Sequence, residues 1–418
     1  MFDIVGKFNT ATVFAENIES EAYAQLLAIC NQEIVKDEII RIMPDCHAGA
    51  GCTIGTTMTM TNDKAIPNLV GVDICCGVAV CNMGNIDIAF DKLDKFINNN
   101  IPMGFNIRKE KHRFSNELSK NKSLNLNNLV CRDNVDINKG YYSIGSLGGG
   151  NHFIEIDVDE TTGEKYLVIH SGSRHLGYEI CRYYQNKGYK KLNKKSFDDF
   201  NKGERIKIIE KLKQEGREKE IEKEIQEKLS KVKFTSIPKD LCYIEGDDYE
   251  DYLHDMEIIQ KFAEFNRYAI MQDILDFLGV KNPIEKFTTL HNYIDLGRNI
   301  LRKGAVSANY KEKLIIPMNM RDGSLICIGK GNPNWNYSAP HGAGRLMSRS
   351  KAKNSISLEE FKESMKNVYS SSIVYSVIDE APMAYKPMED IVNQIGGDGN
   401  TVELLKVIKP LYICMAKE

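Results

Sequence analysis

The sequence predicts a mixed α+β (α/β) fold, with strands and helices packed into one domain. Three observations predict it. Short apolar, β-branched runs broken by glycine occupy residues 39–83 and recur around 141–180. The phrase DYLHDMEIIQKFAEFNRYAIMQDILDFLG carries the 3.6-residue periodicity of a long buried helix. Between these blocks, residues 184–235 are mostly Lys and Glu, with Ile and Leu at helical spacing. Taken in order, Glu21 to Cys30 reads as a helix and Ile39 to Met43 as a short strand. From HAGAGCTIGTTMTM to NLVGVDICCGVAVCNM, strand-like runs with tight turns follow and no helical period is present. Residues 91–99 return to helix, and FIEI and YLVI read as strands beside polar, ligand-type residues. In the 184–235 stretch Glu nearly balances Lys. It reads as solvated helices laced by charge pairs four residues apart, not as a nucleic-acid-binding arm. The organisation expected is therefore one domain over 1–418 with a charged helical insertion at 184–235.

Composition narrows the function. With 418 residues, 42% hydrophobic and 27% charged, the chain can bury a large core and is not disordered over most of its length. A net charge of −3 excludes a uniformly basic, nucleic-acid-coating protein but leaves room for a local phosphate site. No apolar run reaches the ~18 residues of a membrane span. The first twenty residues lack a basic-then-apolar leader pattern, and the eleven cysteines read as reduced thiols. The expectation is a soluble, cytoplasmic protein with no membrane partner.

The eight histidines are the most informative residues. Most sit in polar, glycine-flanked phrases: PDCHAG, GGGNHFIE, VIHSGSRHLG, TLHNYI and APHGAG. Such histidines, placed at the ends of strand-like runs, can converge on one point. In GVDICCG a carboxylate, Asp73, stands three residues before a thiol, Cys76. A second CxxC is missing, which argues against a structural zinc ribbon. One thiolate, one carboxylate and several imidazoles instead suit Mn²⁺, Zn²⁺ or Fe²⁺ in an open catalytic site. Cys75 is expected to be a buried apolar residue and Cys76 the ligand. The triple glycine before Asn151 and His152 lets backbone amides approach an anion. His341 stands between Pro340 and small residues, with Arg345 and Arg349 on one face if a helix begins there. Guanidinium groups beside an uncrowded imidazole suit phosphate transfer.

The phrases MPDCHAG, GVDICCG, GSLGGGNHFIEI, HSGSRHLG, TLHNYI, GKGNPNWNYSAPHGAGR and DEAPMAYK stand in one order over residues 40–390. In this the chain resembles the RtcB family of RNA-splicing ligases. The resemblance implies that family's architecture, with a central metal and nucleotide cleft. It implies a ligase that uses GTP and two Mn²⁺ ions to join an RNA 3′-phosphate or 2′,3′-cyclic phosphate to a 5′-hydroxyl, in tRNA splicing or RNA repair. By the same resemblance Asp73, Cys76, His152, His170 and His291 hold the metal, with Cys76 as bridge. His341 takes GMP, and Asp45 takes part in catalysis. Nucleotide contacts fall on Asn151, Glu155, Lys303, Asn319, Ser324, Ala343, Gly344 and Tyr385. RNA phosphates fall on Arg174, Arg345 and Arg349. The RNA ends are the implied partners, and an archease-type activator is an open one.

The chain departs from that family's pattern in three places. IPMNMRDG stands for IPGSMG, putting Asn319 where the family has serine, and HAGAG puts Ala50 in place of lysine. The family's C-terminal lysine falls at Met415, with Lys417 two residues on. These changes touch the nucleotide environment and spare the histidines. They give some weight to an alternative, a metal-dependent phosphatase or phosphodiesterase acting on RNA ends without nucleotidyl transfer. A non-catalytic RNA-end binding protein is a third reading, which the full ligand set disfavours.

Overall fold

The computed structural model describes residues 1–232, 237–396 and 400–416. Two sheets organise it. The first has six strands in the order Phe2–Val5, Thr10–Val13, Ile40–His47, Ile54–Thr59, Ile300–Lys303 and Asn292–Asp295. The second has seven, in the order Glu285–Leu290, Gly77–Gly84, Lys165–Ser171, Phe153–Val158, Val402–Met415, Gly323–Gly329 and Lys313–Asn319. Every pairing in the second sheet is antiparallel. The sheet curls until its two edges meet, where Lys313 Nζ lies 2.6 Å from Glu285 Oε1. This curvature covers both edges, which otherwise expose unpaired backbone groups. No helix among the described residues is long and apolar enough to cross a membrane.

The helix expected from the 3.6 period runs from Asp247 to Leu278 and ends on Gly279 in the left-handed conformation. Tyr252, Met256, Ile259 and Ala263 pack into the core beneath the first sheet. Ile270, Met271, Ile274 and Leu275 enter a separate core on one face of the second. One helix thus bridges both sheets, and a third apolar cluster fills the curled face of the second. The expected helix at 21–30 spans Ser20–Cys30, and the one at 91–99 spans Phe90–Asn100. The glycine-rich stretch holds one short helix that its sequence did not signal, Pro67–Val70, started by a proline at its first position.

Tyr184 and Gln185 belong to a helix that begins at Arg174, and both are buried in the body. Beyond it, helices Lys194–Lys202, Glu204–Gln214 and Ile221–Leu229 gather around their own small cluster of Phe200, Ile208, Leu212 and Ile225. Their outer faces carry local ion pairs such as Lys231–Glu227 at 2.8 Å and Arg217–Glu220 at 2.6 Å. Exposed pairs of this kind are screened by solvent and add little to stability. Phe262 is fully buried in the bridging helix. Phe262→Ala is expected to destabilise the protein by about 3–5 kcal/mol, seen as a lowered denaturation midpoint. Ile225→Ala, in the peripheral cluster, is expected to leave the main transition in place.

Candidate metal and phosphate-transfer site

Strand register gathers the histidines. Gly77 pairs with Ser171, Phe153 with His170, and Leu290 with Gly77. Cys76, His152, His170 and His291 therefore stand at the same end of four adjacent strands of the second sheet. The ligand atoms of Cys76, His152 and His170 all lie within 4.8 Å of one another. Cys76 Sγ is 3.3 Å from both His152 Nε2 and His170 Nε2. His170 Nε2 lies 3.4 Å from His291 Nε2, and Asp73 Oδ2 lies 3.0 Å from His152 Nε2.

Backbone carbonyls fix which nitrogen faces inward. His152 Nδ1 donates to the Leu147 carbonyl at 2.9 Å, and His170 Nδ1 to the Asn151 carbonyl at 3.1 Å. With Nδ1 protonated, each Nε2 turns a lone pair toward the thiol and the Asp73 carboxylate. Lone pairs aimed at one another in a buried space repel, and a cation between them removes the repulsion. The donor set (imidazole, thiolate and carboxylate) is what a borderline divalent ion takes. Burial, followed by the neighbouring imidazoles, pushes His170 and His291 well below the usual histidine range, so both are neutral and ligand-ready at pH 7. Burial raises the Cys76 thiol, and Asp73 nearby adds to the rise. Asp73 Oδ1 also accepts the Ser173 backbone N–H at 3.1 Å. Cys75 points the other way, into the apolar core, as expected.

The first sheet and a short two-stranded ribbon beside it deliver the other half. Asp45 lies in Ile40–His47 and is fully buried. His341 follows the short strand Ser338–Pro340. His341 Nδ1 donates to Asp45 Oδ2 at 2.6 Å, and the His341 backbone N–H donates to the same oxygen at 3.1 Å. That leaves Nε2 as the free nitrogen of a ring whose centroid lies 4.9 Å from that of His291. Gly344 adopts φ +73°, and a Cβ there would come within 2.4 Å of the Asp45 carbonyl oxygen. Only glycine lets this turn close over Asp45.

These groups open on a cleft of about 580 Å³, the size range of nucleotide sites. Asn151, Glu155, Asn319, Ala343, Gly344, Tyr385, Arg345 and Arg349 all line it. Glu155 and Asp157 are buried two residues apart on one face of a strand, so desolvation raises Glu155 to about 7 and Asp157 well above its usual value. Glu155 Oε1 has no hydrogen-bond partner among the described residues. Asn319 closes its own turn, donating to Asp322 at 2.8 Å. Met415 and Ala50 also line the cleft, whereas Lys417 lies outside the described residues.

Of the residues expected to contact nucleotide or RNA, three are not in the cleft wall. Lys303 Nζ is held by the Ala50 and Asn68 carbonyls at 3.2 and 3.0 Å and by Cys52 Sγ at 2.8 Å. Ser324 is buried in its strand. Arg174 donates to Ser146 Oγ at 3.1 Å and to the Gly104 carbonyl at 2.7 Å. No helix begins at His341 either. Ser348 caps one that starts at Arg349, so Arg345 sits in a loop and the two arginines do not share a helical face. They share carboxylates instead: Arg349 pairs with Asp379 at 2.7 Å and with Glu380, and Arg345 Nη1 lies 3.5 Å from Glu380.

Sequence reasoning missed Asp379 and Glu380, although both stand in or beside DEAPMAYK. It also assigned nothing to His47, whose Nδ1 donates to the Asp45 carbonyl at 2.9 Å. Arg267 was missed too. Fully buried on the bridging helix, it donates to the Cys75 and Ser171 carbonyls, both at 3.1 Å. A polar residue within a helical period gives no signal of that role.

Burial pushes the His47 imidazole down to about 4, against the hydrogen bond to Asp45 that raises it. Unfolded histidine titrates near 6.5. As pH falls through 6.5 the unfolded chain therefore binds a proton that the folded protein refuses, and stability drops. The metal-free protein is expected to lose thermal stability between pH 6.5 and 4, and His47→Gln to shallow that slope in melting scans.

Comparisons agree with this geometry. The family model described as "tRNA-splicing ligase RtcB" matches residues 25–415. The chain is 30% identical to the RNA-splicing ligase RtcB1 of Escherichia coli, over 95% of this chain and 94% of that protein. It is 25% identical to the tRNA-splicing ligase RtcB of Nanoarchaeum equitans, covering 86% of this chain and 84% of that one.

Proposed function

The chain belongs to the RtcB family of RNA-splicing ligases, and we propose that it joins an RNA 3′-phosphate or 2′,3′-cyclic phosphate to a 5′-hydroxyl through a GMP–His341 intermediate. The observation that carries this reading is the Asp45–His341 pair beside the imidazole–thiol cluster. With its Nδ1 proton committed to a buried carboxylate, His341 keeps a nucleophilic lone pair on Nε2. Attack on the α-phosphorus of GTP forms a P–N bond and releases pyrophosphate. The imidazolium that develops is stabilised by Asp45, as in other oriented His–Asp pairs. A 3′-phosphate oxygen then displaces the histidine, leaving GMP joined to the RNA through a diphosphate. The 5′-hydroxyl attacks the RNA-side phosphorus and expels GMP. Activating the 3′ end lets an ordinary hydroxyl serve as the nucleophile.

Asp73, Cys76, His152, His170 and His291 would hold the divalent metal, two Mn²⁺ ions in this reading. The metal supplies positive charge against the triphosphate and the departing pyrophosphate. Asn151 and the backbone at Ala343 and Gly344 are assigned to the nucleotide's phosphates, and Tyr385 and Asn319 to the walls of its site. Glu155, with an unpartnered buried oxygen in the cleft, suits the adjacent N–H donors of guanine. Adenine presents no such pair. Arg349 has a half-exposed side chain and keeps donors for an RNA phosphate despite its carboxylate partners. The reading places the enzyme in the cytoplasm.

The test is incubation with [α-³²P]GTP and Mn²⁺, with ATP in parallel. An acid-labile label on the wild type from GTP alone, absent from His341→Ala, is the expected result. Asp45→Asn is expected to slow labelling by about 10²–10⁴-fold. No label from either nucleotide would move the metal-dependent phosphatase reading into first place.

A further inference from the structure

Phe105 is the most exposed large apolar side chain among the described residues, at 94% of its full surface. It is held out on a tightly braced turn. The Asn106 backbone N–H donates to the Met103 carbonyl at 3.1 Å, and Gly104 takes φ +61° to close the turn. The Gly104 N–H donates to the Gly148 carbonyl at 2.6 Å, and the Leu147 N–H to the Pro102 carbonyl at 2.8 Å. Arg174 donates to the Gly104 carbonyl. Past the turn, the Arg108 N–H donates to the Tyr142 carbonyl at 3.0 Å, and its guanidinium donates to the Gly145 carbonyl at 2.8 Å. An aromatic ring presented to water on so fixed a backbone sacrifices burial without gaining flexibility.

The turn also adjoins the site. Gly148, its main anchor, packs so closely on His152 that a Cβ there would come within 2.4 Å of His152 Nδ1. The same loop continues into Asn151, on the cleft wall, while Phe105 itself lies outside that wall. Lys109, Glu110 and Lys111 follow, all exposed and together carrying one net positive charge, and the Lys111 ammonium lies 5.2 Å from the Tyr141 ring centre. A flat ring with cationic neighbours, placed just outside a phosphate-transfer cleft, matches single-stranded nucleic acid: one unpaired base for the ring and backbone phosphates for the lysines.

We propose that Phe105 is a stacking platform for an unpaired base of the RNA strand whose end enters the cleft, with Lys109 and Lys111 on its backbone. The proposal rests on the ligase reading. It also gives Arg174 a positioning role, since that guanidinium fixes the turn.

The test measures binding of a 5′-fluorescein single-stranded oligoribonucleotide with a 3′-phosphate by anisotropy in Mn²⁺ without GTP. GMP labelling without RNA is measured on the same preparations. Phe105→Ala is expected to weaken RNA binding at least roughly fivefold, the equivalent of about 1 kcal/mol per stacked base. Its labelling should stay at the wild-type rate, and Phe105→Trp should restore binding where Phe105→Leu does not. Unchanged affinity in Phe105→Ala, with labelling intact, overturns the platform alone. Rescue by Leu as complete as by Trp also overturns it, pointing to an apolar protein contact. A wild type that neither labels nor binds the oligonucleotide overturns the ligase reading and the platform with it.

Discussion

The centre of this protein depends on where two imidazole protons reside. Carbonyl oxygens of Leu147 and Asn151 take the Nδ1 protons of His152 and His170, and the donor character of the cluster around Cys76 follows from that. With the opposite tautomers, Nε2–H groups would crowd the Cys76 sulfur and the site could not ligate. Both carbonyls belong to the glycine loop, so the loop that looks like an anion cradle also sets the chemistry of the ligands. The bridging helix secures the loop from below. Asn266 accepts the Gly145 and Ser146 amides and donates to Ser171 Oγ and the Gly172 carbonyl. Arg267 beside it ties together the segments that carry Cys76 and His170. One helical step thus couples three site-bearing segments to the interior.

The same device recurs at His341 with a different purpose. There Nδ1 is tied to a carboxylate, not a carbonyl; in the proposed reaction that charged acceptor both orients the ring and stabilises the cation formed when Nε2 attacks phosphorus. The second sheet presents neutral nitrogen donors at the ends of adjacent strands. The first presents Asp45, which orients His341 at the end of the short strand Ser338–Pro340, part of a separate two-stranded ribbon. The cleft exists because the two sheets meet edge to end there, around the corner that carries His291 between Leu290 and Asn292.

Much of this was legible in the sequence because it is local. Cys76, His152, His170 and His291 each adjoin or end a strand-like run, and a strand end is readable from a few residues. The long helix was legible through its period, and the peripheral charged helices through their balanced Glu and Lys. What was not legible depends on distant partners. Nothing near Arg345 and Arg349 announces that Asp379 and Glu380 will pair with them across the fold. Lys303 sits in a family-like phrase, yet its ammonium turns to the carbonyls of Ala50 and Asn68, segments far away in the chain. The condition under which Arg345 and Arg349 would share a face, a helix beginning at His341, is not met, and the reason is local. Gly344 is needed in a left-handed turn, and Ser348 is a better cap than anything before it.

The central claim is that Cys76 and the inward-facing Nε2 atoms form one metal centre. It is tested most directly by loading the metal-free protein with Co²⁺ and recording its near-ultraviolet and visible absorption. The account predicts a thiolate-to-cobalt charge-transfer band in the wild type that disappears in Cys76→Ser, while ligand-field bands from histidine coordination persist. A wild-type spectrum without the thiolate band, or a band that survives in Cys76→Ser, would contradict it.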